Sequence, residues 1–231
     1  MARPLLKEGR LHLRTMRTTI TLLALGLFAM NTLHAQDDPK SKAVMDRLIA
    51  KNKSYTSFEA EFTSRLQSTK DKLDVKQEGH VQVQGRKWHL TLDANTVISD
   101  GTTMWTYNKE ANEVTINSTS EMDQELDPSR LLSMYETGFK SQFVGESTLP
   151  DGTVTQVVKL FPSDPAKRNY HTVVLTIDKN KVEPRSVVIM YKDGSEVTYT
   201  LRKFMPNPTL SDALFAFDKS RYPGVEVNDM R

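Results

Sequence analysis

The sequence predicts a mainly β (α+β) domain: a curled antiparallel sheet of about ten or eleven short strands, with one helix before it and one helical insertion within it. Three observations carry this. Apolar and polar residues alternate over most of the chain after residue 57, which is the period of a half-buried strand. Turn words such as Asp100-Gly101, Asp151-Gly152 and Asp193-Gly194 separate these runs at short intervals. Helical spacing of apolar residues occurs in two places only. A meander of this size, with one face in water, best hides its edges by curling into a barrel or half-barrel.

The chain starts with a segment that reads as an address. Arg10, Arg14 and Arg17 precede an apolar run from Ile20 to Met30, and Ala35 follows. This is the pattern of a cleavable secretory signal peptide over residues 1–35, with Met16 as an alternative start. The run covers about 11 residues, where a membrane-spanning helix needs about 20. Taking five basic residues (Arg3, Lys7, Arg10, Arg14, Arg17) and one acid (Glu8) from 31 and 29 leaves 26 basic and 28 acidic residues. The remaining chain, 36–231, is slightly acidic and clusters no Lys or Arg with aromatics, so no nucleic-acid partner is expected. It has no cysteine, hence no disulfide and no thiol to lipidate. The expected product is a single soluble domain in the periplasm or exterior.

Asp38-Pro39 is an N-cap followed by a first-turn proline, and Val44, Met45, Leu48 and Ile49 form one stripe, predicting a helix over about 39–52. Phe58, Ala60, Phe62 and Leu66 then share one strand face, with Glu59, Glu61, Thr63 and Arg65 on the other. Val81 and Val83 alternate with polar neighbours, as do Trp88, Leu90 and Leu92. Trp105 and Tyr107 share one side of a short strand that follows Asp100-Gly101. Later runs are 154–160, 173–177, 187–191 and 197–201. Between them, Asp127-Pro128 and Gly138 bracket a predicted helix over 128–137, with Leu131, Leu132, Met134 and Tyr135 as its apolar members. This insertion spans about 121–138 and must bury its apolar side at the mouth or open side of the sheet. A Pro-rich connector and the tail "YPGVEVNDMR" close the chain.

Catalytic and metal motifs are missing from the sequence. His80, His89 and His171 are scattered, without HExxH or His-x-His spacing, so no metal is expected. There is no G-x-S-x-G, P-loop or G-x-G-x-x-G, and no cofactor is expected. Glu59 and Glu61 share a strand face as a carboxylate pair would, but any solvated strand face carries acids in the same way.

The words "SYTSFEAEFTS", "QEGHVQVQGRKWHLTL", "VISDGTTMWTYN", "DPSRLL" and "YPGVEVNDMR", in this order, resemble the periplasmic outer-membrane lipoprotein carrier family, LolA. The most specific piece is SDG-x-x-x-W-x-Y, which begins eleven residues after Trp88. The resemblance covers nearly the whole chain after the leader. It implies an incomplete β-barrel whose hydrophobic cavity lies under a helical lid and shields the acyl chains of a lipoprotein. It also implies an inner-membrane lipoprotein-releasing ABC transporter as donor, an outer-membrane acceptor, a monomeric carrier and no covalent chemistry. In that family an Arg-Pro pair before the Trp strand helps to latch the lid; here the turn reads QGRKW, with Gln82 six residues before Trp88 and Arg86 nearby.

Under this resemblance the expected cavity residues are Phe58, Phe62, Val81, Val83, Trp88, Leu90, Leu92, Trp105 and Tyr107, and the lid residues are Leu131, Leu132, Met134 and Tyr135. Aromatic strand positions are equally well explained as plain core. Two other readings stay open: a sensor of lipid or mislocalised lipoprotein for a signalling partner, and an envelope lipid or glycan hydrolase using Glu59 or Glu61.

Overall fold

The helix α1 (Pro39–Asn52) begins where the sequence puts it. Asp38 accepts a hydrogen bond from the Lys40 amide at 2.9 Å, and its other carboxylate oxygen accepts from the Phe143 amide, also at 2.9 Å. These donors hold the Asp38 carboxyl below the usual carboxylate range, the Phe143 amide most strongly. One cap thus fixes both the helix start and its position against a strand 105 residues away. The computed structural model describes residues 38–93, 95–122 and 127–231. The basic leader expected over 1–35 and the acidic stretch 123–126 of the insertion lie outside them.

Twelve strands follow, against the ten or eleven expected: β1 (Ser57–Ser68), β2 (Leu73–Gln84), β3 (Lys87–Leu92), β4 (Asn95–Ser99), β5 (Thr103–Asn108), β6 (Glu113–Ser118), β7 (Phe139–Thr148), β8 (Val154–Pro162), β9 (Tyr170–Asp178), β10 (Pro184–Tyr191), β11 (Ser195–Pro206) and β12 (Glu226–Asp229). They form one sheet in the order β12-β6-β5-β4-β3-β2-β1-β11-β10-β9-β8-β7. All neighbours are antiparallel except β12, which returns from the C-terminal tail to lie parallel to β6. Strand β1 pairs with both β2 and β11 and so joins the two meanders into one curled, open sheet.

The register places Phe58, Ala60 and Phe62 on the same face as Val83, Val81 and Gly79 of β2, and these beside Trp88, Leu90 and Leu92 of β3. Gly79 is required there: a Cβ at this position would lie 2.2 Å from Cζ of Phe62, so the missing side chain is the seat of that ring. On the other arm, Val173 and Leu175 pair across β8 with Leu160 and Val158 and across β10 with Ile189 and Val187. Helix α1 packs Val44, Met45 and Leu48 onto this arm, into a buried cluster with Tyr135, Val158, Leu160, Tyr170, Val173, Leu175 and Ile177. Phe58, Ala60, Val81, Val83 and Trp88 form a second buried cluster.

The helix expected over 128–137 is not formed. Pro128–Arg130 is a single 3-10 turn, and 131–135 continue as turns. In an α-helix the Leu132 carbonyl would accept from the Glu136 amide. Here Glu136 donates to Ser133 instead, and the Leu132 carbonyl is taken by the side chain of Asn52 at 3.1 Å. A ten-residue segment has little helical stability of its own, so a tertiary hydrogen bond and burial of Tyr135 decide its shape.

Candidate functional site

Between the two buried clusters the sheet encloses an apolar cavity of about 350 Å³. Its floor comes from both arms. Phe58, Ala60, Phe62, Val81, Leu90 and Leu92 contribute from β1 to β3, while Leu160, Val173, Leu175, Val187, Ile189, Tyr199, Leu201 and Phe204 contribute from β8 to β11. Phe139, Tyr170 and Tyr191 line one end, with Asn169 beside them. Pro128, Leu131, Leu132, Met134 and Tyr135 form the roof, and we refer to segment 127–138 as the lid. The few polar side chains in the lining include Ser64 and Gln77, a cross-strand pair on β1 and β2. A cavity with this lining suits an alkyl chain and offers almost nothing to a charge.

The lid is held at its base. Asn52, the last residue of α1, donates from Nδ2 to the Leu132 carbonyl and to the Tyr135 hydroxyl. Lys53 and Glu136 add an ion pair at 3.1 Å, more exposed and so weaker. Burial pushes the Tyr135 phenol above its ordinary pKa and the Tyr55 phenol up to about 12, so both remain neutral at physiological pH. Asn52 Oδ1 and Tyr55 Oη are nevertheless buried with no partner among the described residues. The latch is therefore only partly satisfied, which lowers the cost of opening it. Arg86, the candidate latch by position, is exposed in the turn between β2 and β3. Gln82 donates to Glu59 at 3.0 Å on the other face of the sheet.

Of the expected cavity residues, Phe58, Phe62, Val81, Leu90 and Leu92 line the cavity, and so do all four lid residues. The others are corrections. Val83 and Trp88 share the inner face but lie one step beyond the cavity, filled in against Phe58 and Val81 with 3% of their surface exposed. Trp105 and Tyr107 lie on the opposite face. Register from Leu90 runs through Val97 to Thr106, so the inner positions of β5 are Met104 and Thr106. Trp105 faces outward between Ile98 and Ile116, and Tyr107 packs against Tyr222 and Phe217 of the C-terminal tail at ring-centroid distances of 4.4 and 6.3 Å. Sequence reasoning missed the entire β8–β11 lining. Its signal is present in the alternation of 173–177, 187–191 and 197–201, which marks strands without marking a site.

Glu59 lies on the outer face as well, away from the cavity. The Gln82 amide, and then His80 Nε2 at 3.2 Å, hold its carboxyl below the usual range, the opposite of what a general acid needs. Among the described residues no group of three or more His, Asp or Glu side chains could hold a metal ion.

The family model for "Outer membrane lipoprotein carrier protein LolA" matches residues 53–218, from the end of α1 through the cavity strands and the lid. The chain belongs to the LolA family. An outer-membrane lipoprotein carrier protein of Haemophilus influenzae (strain PittEE) is 28% identical over 221 residues, covering 93% of this chain and 98% of that protein. One from Proteus mirabilis (strain HI4320) is 41% identical over 63 residues, or 26% of this chain and 31% of that protein. In fold, this LolA-family chain is similar to an uncharacterized conserved protein of Thermus thermophilus, with a TM-score of 0.53 and 13% identity over 82% of this chain and 99% of that one. It is also similar to the lipoprotein LppX of Mycobacterium tuberculosis, with a TM-score of 0.50 and 17% identity over 75% and 98% of the two chains.

Proposed function

We propose that this LolA-family protein is a periplasmic carrier, exported by its basic leader, that holds the acyl chains of lipoproteins in its cavity and ferries them from the inner to the outer membrane. The observation that carries the reading is the apolar cavity roofed by a separately latched segment. Its donor would be a lipoprotein-releasing ABC transporter of the inner membrane, and its acceptor an outer-membrane receptor.

Each methylene removed from water gains about 0.8 kcal/mol, so a 16-carbon chain gains roughly 12 kcal/mol on sequestration. Such a gain makes capture easy and release hard. Leu131, Leu132, Met134 and Tyr135 already occupy part of the apolar space, so cargo competes with the lid for the same contacts. The apparent affinity falls by the cost of displacing it. Noncovalent binding fits the register of β1, which puts both Glu59 and Glu61 on the face opposite Phe58, Ala60 and Phe62.

Mass spectrometry of protein purified from its native periplasm tests this. Co-purifying acylated polypeptide is the expected result. Free lipid alone would move the reading to a lipid sensor, and turnover of an ester to an enzyme. Leu90→Glu puts a charge in the cavity and should abolish capture; retained capture would overturn the assignment of the cavity.

A further inference from the structure

The inner apolar face does not stop where the cavity stops. Ser64 and Gln77 are the last cavity-lining pair on β1 and β2. The next two cross-strand pairs on the same face are Leu66–Val75 and Ser68–Leu73, and Leu66 also pairs with Val197 of β11. Leu66, Leu73 and Val75 are 36%, 45% and 46% exposed, unusually open for large apolar side chains on a strand. They lie at the end of the β1–β2 hairpin, where β1 stays paired with β11 as far as Ser68 and β2 is the free side. Strand β2 pairs with β3 only over 79–84, so 73–77 have β1 on one side and, among the described residues, no strand on the other. Four residues of strand from Ser64 to Ser68 make a track about 13 Å long from cavity to tip, apolar at Leu66, Val75 and Leu73 and polar at Ser64, Gln77 and Ser68.

The charge at this tip has a definite pattern. Asp74 is held by Arg65 in a two-pronged pair, Asp71 accepts from the Ser68 hydroxyl at 2.8 Å, and Asp193 of the adjoining turn accepts from Ser195. Asp74 is neutralised by Arg65 while Asp71 and Asp193 keep their charge under hydroxyl hydrogen bonds; from Arg65 to Lys76 four basic residues (Arg65, Lys70, Lys72, Lys76) stand against two acids (Asp71, Asp74). Lys70 and Lys72 in the turn and Lys76 on the free strand edge are exposed. Exposed aliphatic side chains ringed by lysines match the two layers of an anionic lipid surface, acyl boundary and headgroup phosphate.

We propose that the β1–β2 hairpin tip docks onto an anionic phospholipid bilayer, inserting Leu66, Leu73 and Val75 at the interface while Lys70, Lys72 and Lys76 meet headgroup phosphates. Docking brings the cavity floor into line with the acyl layer. A chain can then pass along the track without crossing open water. The docking step stands by itself; the transfer step rests on the carrier reading above.

The test is sedimentation of the purified, cargo-free protein with vesicles of phosphatidylethanolamine and phosphatidylglycerol, and with vesicles of phosphatidylcholine alone. Binding to the anionic vesicles, weakened by salt, is expected. Leu73→Ser with Val75→Ser should reduce it about tenfold, and Lys70→Gln with Lys72→Gln and Lys76→Gln should remove most of its salt dependence. These positions are exposed, so unchanged circular dichroism and urea midpoints are expected for all variants. No binding by the parent protein, or equal binding by the Ser variant, overturns the docking proposal and leaves the carrier reading untouched. A photo-crosslinker at position 73 that labels protein and not lipid in cells also overturns it, in favour of a protein partner. With acyl cargo loaded, the Ser variant should load normally and deliver to vesicles more slowly; loading that fails in the parent counts against the carrier reading alone.

Discussion

The inner and outer faces of the β3–β5 region carry similarly apolar side chains, yet they come to different ends. On the inner face Leu90 and Leu92 look into a cavity. On the outer face Tyr107 is closed over by Phe217 and Tyr222, and the 3-10 turn Asp212–Phe215 packs on β3 and β4 with Phe215 1% exposed. The difference lies in the cover. The tail is tied down along its length: Lys87 pairs with Asp212 at 2.6 Å, Asn112 donates to the Pro223 carbonyl, and β12 is hydrogen-bonded to β6. The lid's polar tethers include Asn52 and the Lys53–Glu136 ion pair, and Leu132, Met134 and Tyr135 pack against the two apolar clusters. One apolar face is sealed by a tail tied along its length, and the other keeps a hollow beneath a short covering segment.

The largest effect that would break this comparison is at Phe215. Phe215→Ala should lower stability by about 3–5 kcal/mol in urea unfolding, while binding of an apolar fluorophore per folded molecule is unchanged. Loss of binding beyond the loss of folded protein would mean that the two faces are coupled. Gly79→Ala should follow at about 2 kcal/mol, because the new methyl must displace the Phe62 ring from the cavity floor, and fluorophore affinity should fall with it. Leu92→Ala should cost only about 1 kcal/mol by the same unfolding measurement, since a side chain facing a void already lacks partners on one side. Asn52→Ala sharpens the contrast most directly. Loss of about 1 kcal/mol of latch raises the open population about fivefold, so fluorophore binding should tighten by up to that factor even as the urea midpoint drops.

The smallest effect is electrostatic. Burial, aided by His80 and Arg221, holds the His89 imidazole below its usual value of 6.5. The folded state therefore takes up this proton less readily than the unfolded chain. Stability should be full above pH 6.5 and decline as pH falls from there toward the lowered folded value. His89→Gln should flatten this part of the urea-midpoint profile.

Much of this is legible in the sequence, and the failures share a cause. Period-two alternation gives two faces to every strand but not which face is inside. At 103–108 both faces are credible, Met104 and Thr106 on one and Trp105 and Tyr107 on the other, and the larger aromatics suggest the cavity side. The choice is made by hairpin register, Val97 pairing with Thr106 nine residues on, and by a tail more than a hundred residues away, which no local pattern reveals. The Asp127-Pro128 start of the lid agrees with the structure, since Asp127 accepts from the Ser129 amide. Its continuation as a helix fails because the competing partner, Asn52, is 80 residues distant. The hairpin tip shows the reverse: Leu66, Leu73 and Val75 look like ordinary strand residues until β3 proves too short to cover them.

The sheet is also unclosed. A complete ring of strands has a bore set by its strand number and stagger. Here β7 and β12 are the two ends of the sheet and do not pair with each other. No ladder between those two ends must rupture for them to spread, so the width of the apolar hollow is not fixed by closure of the sheet.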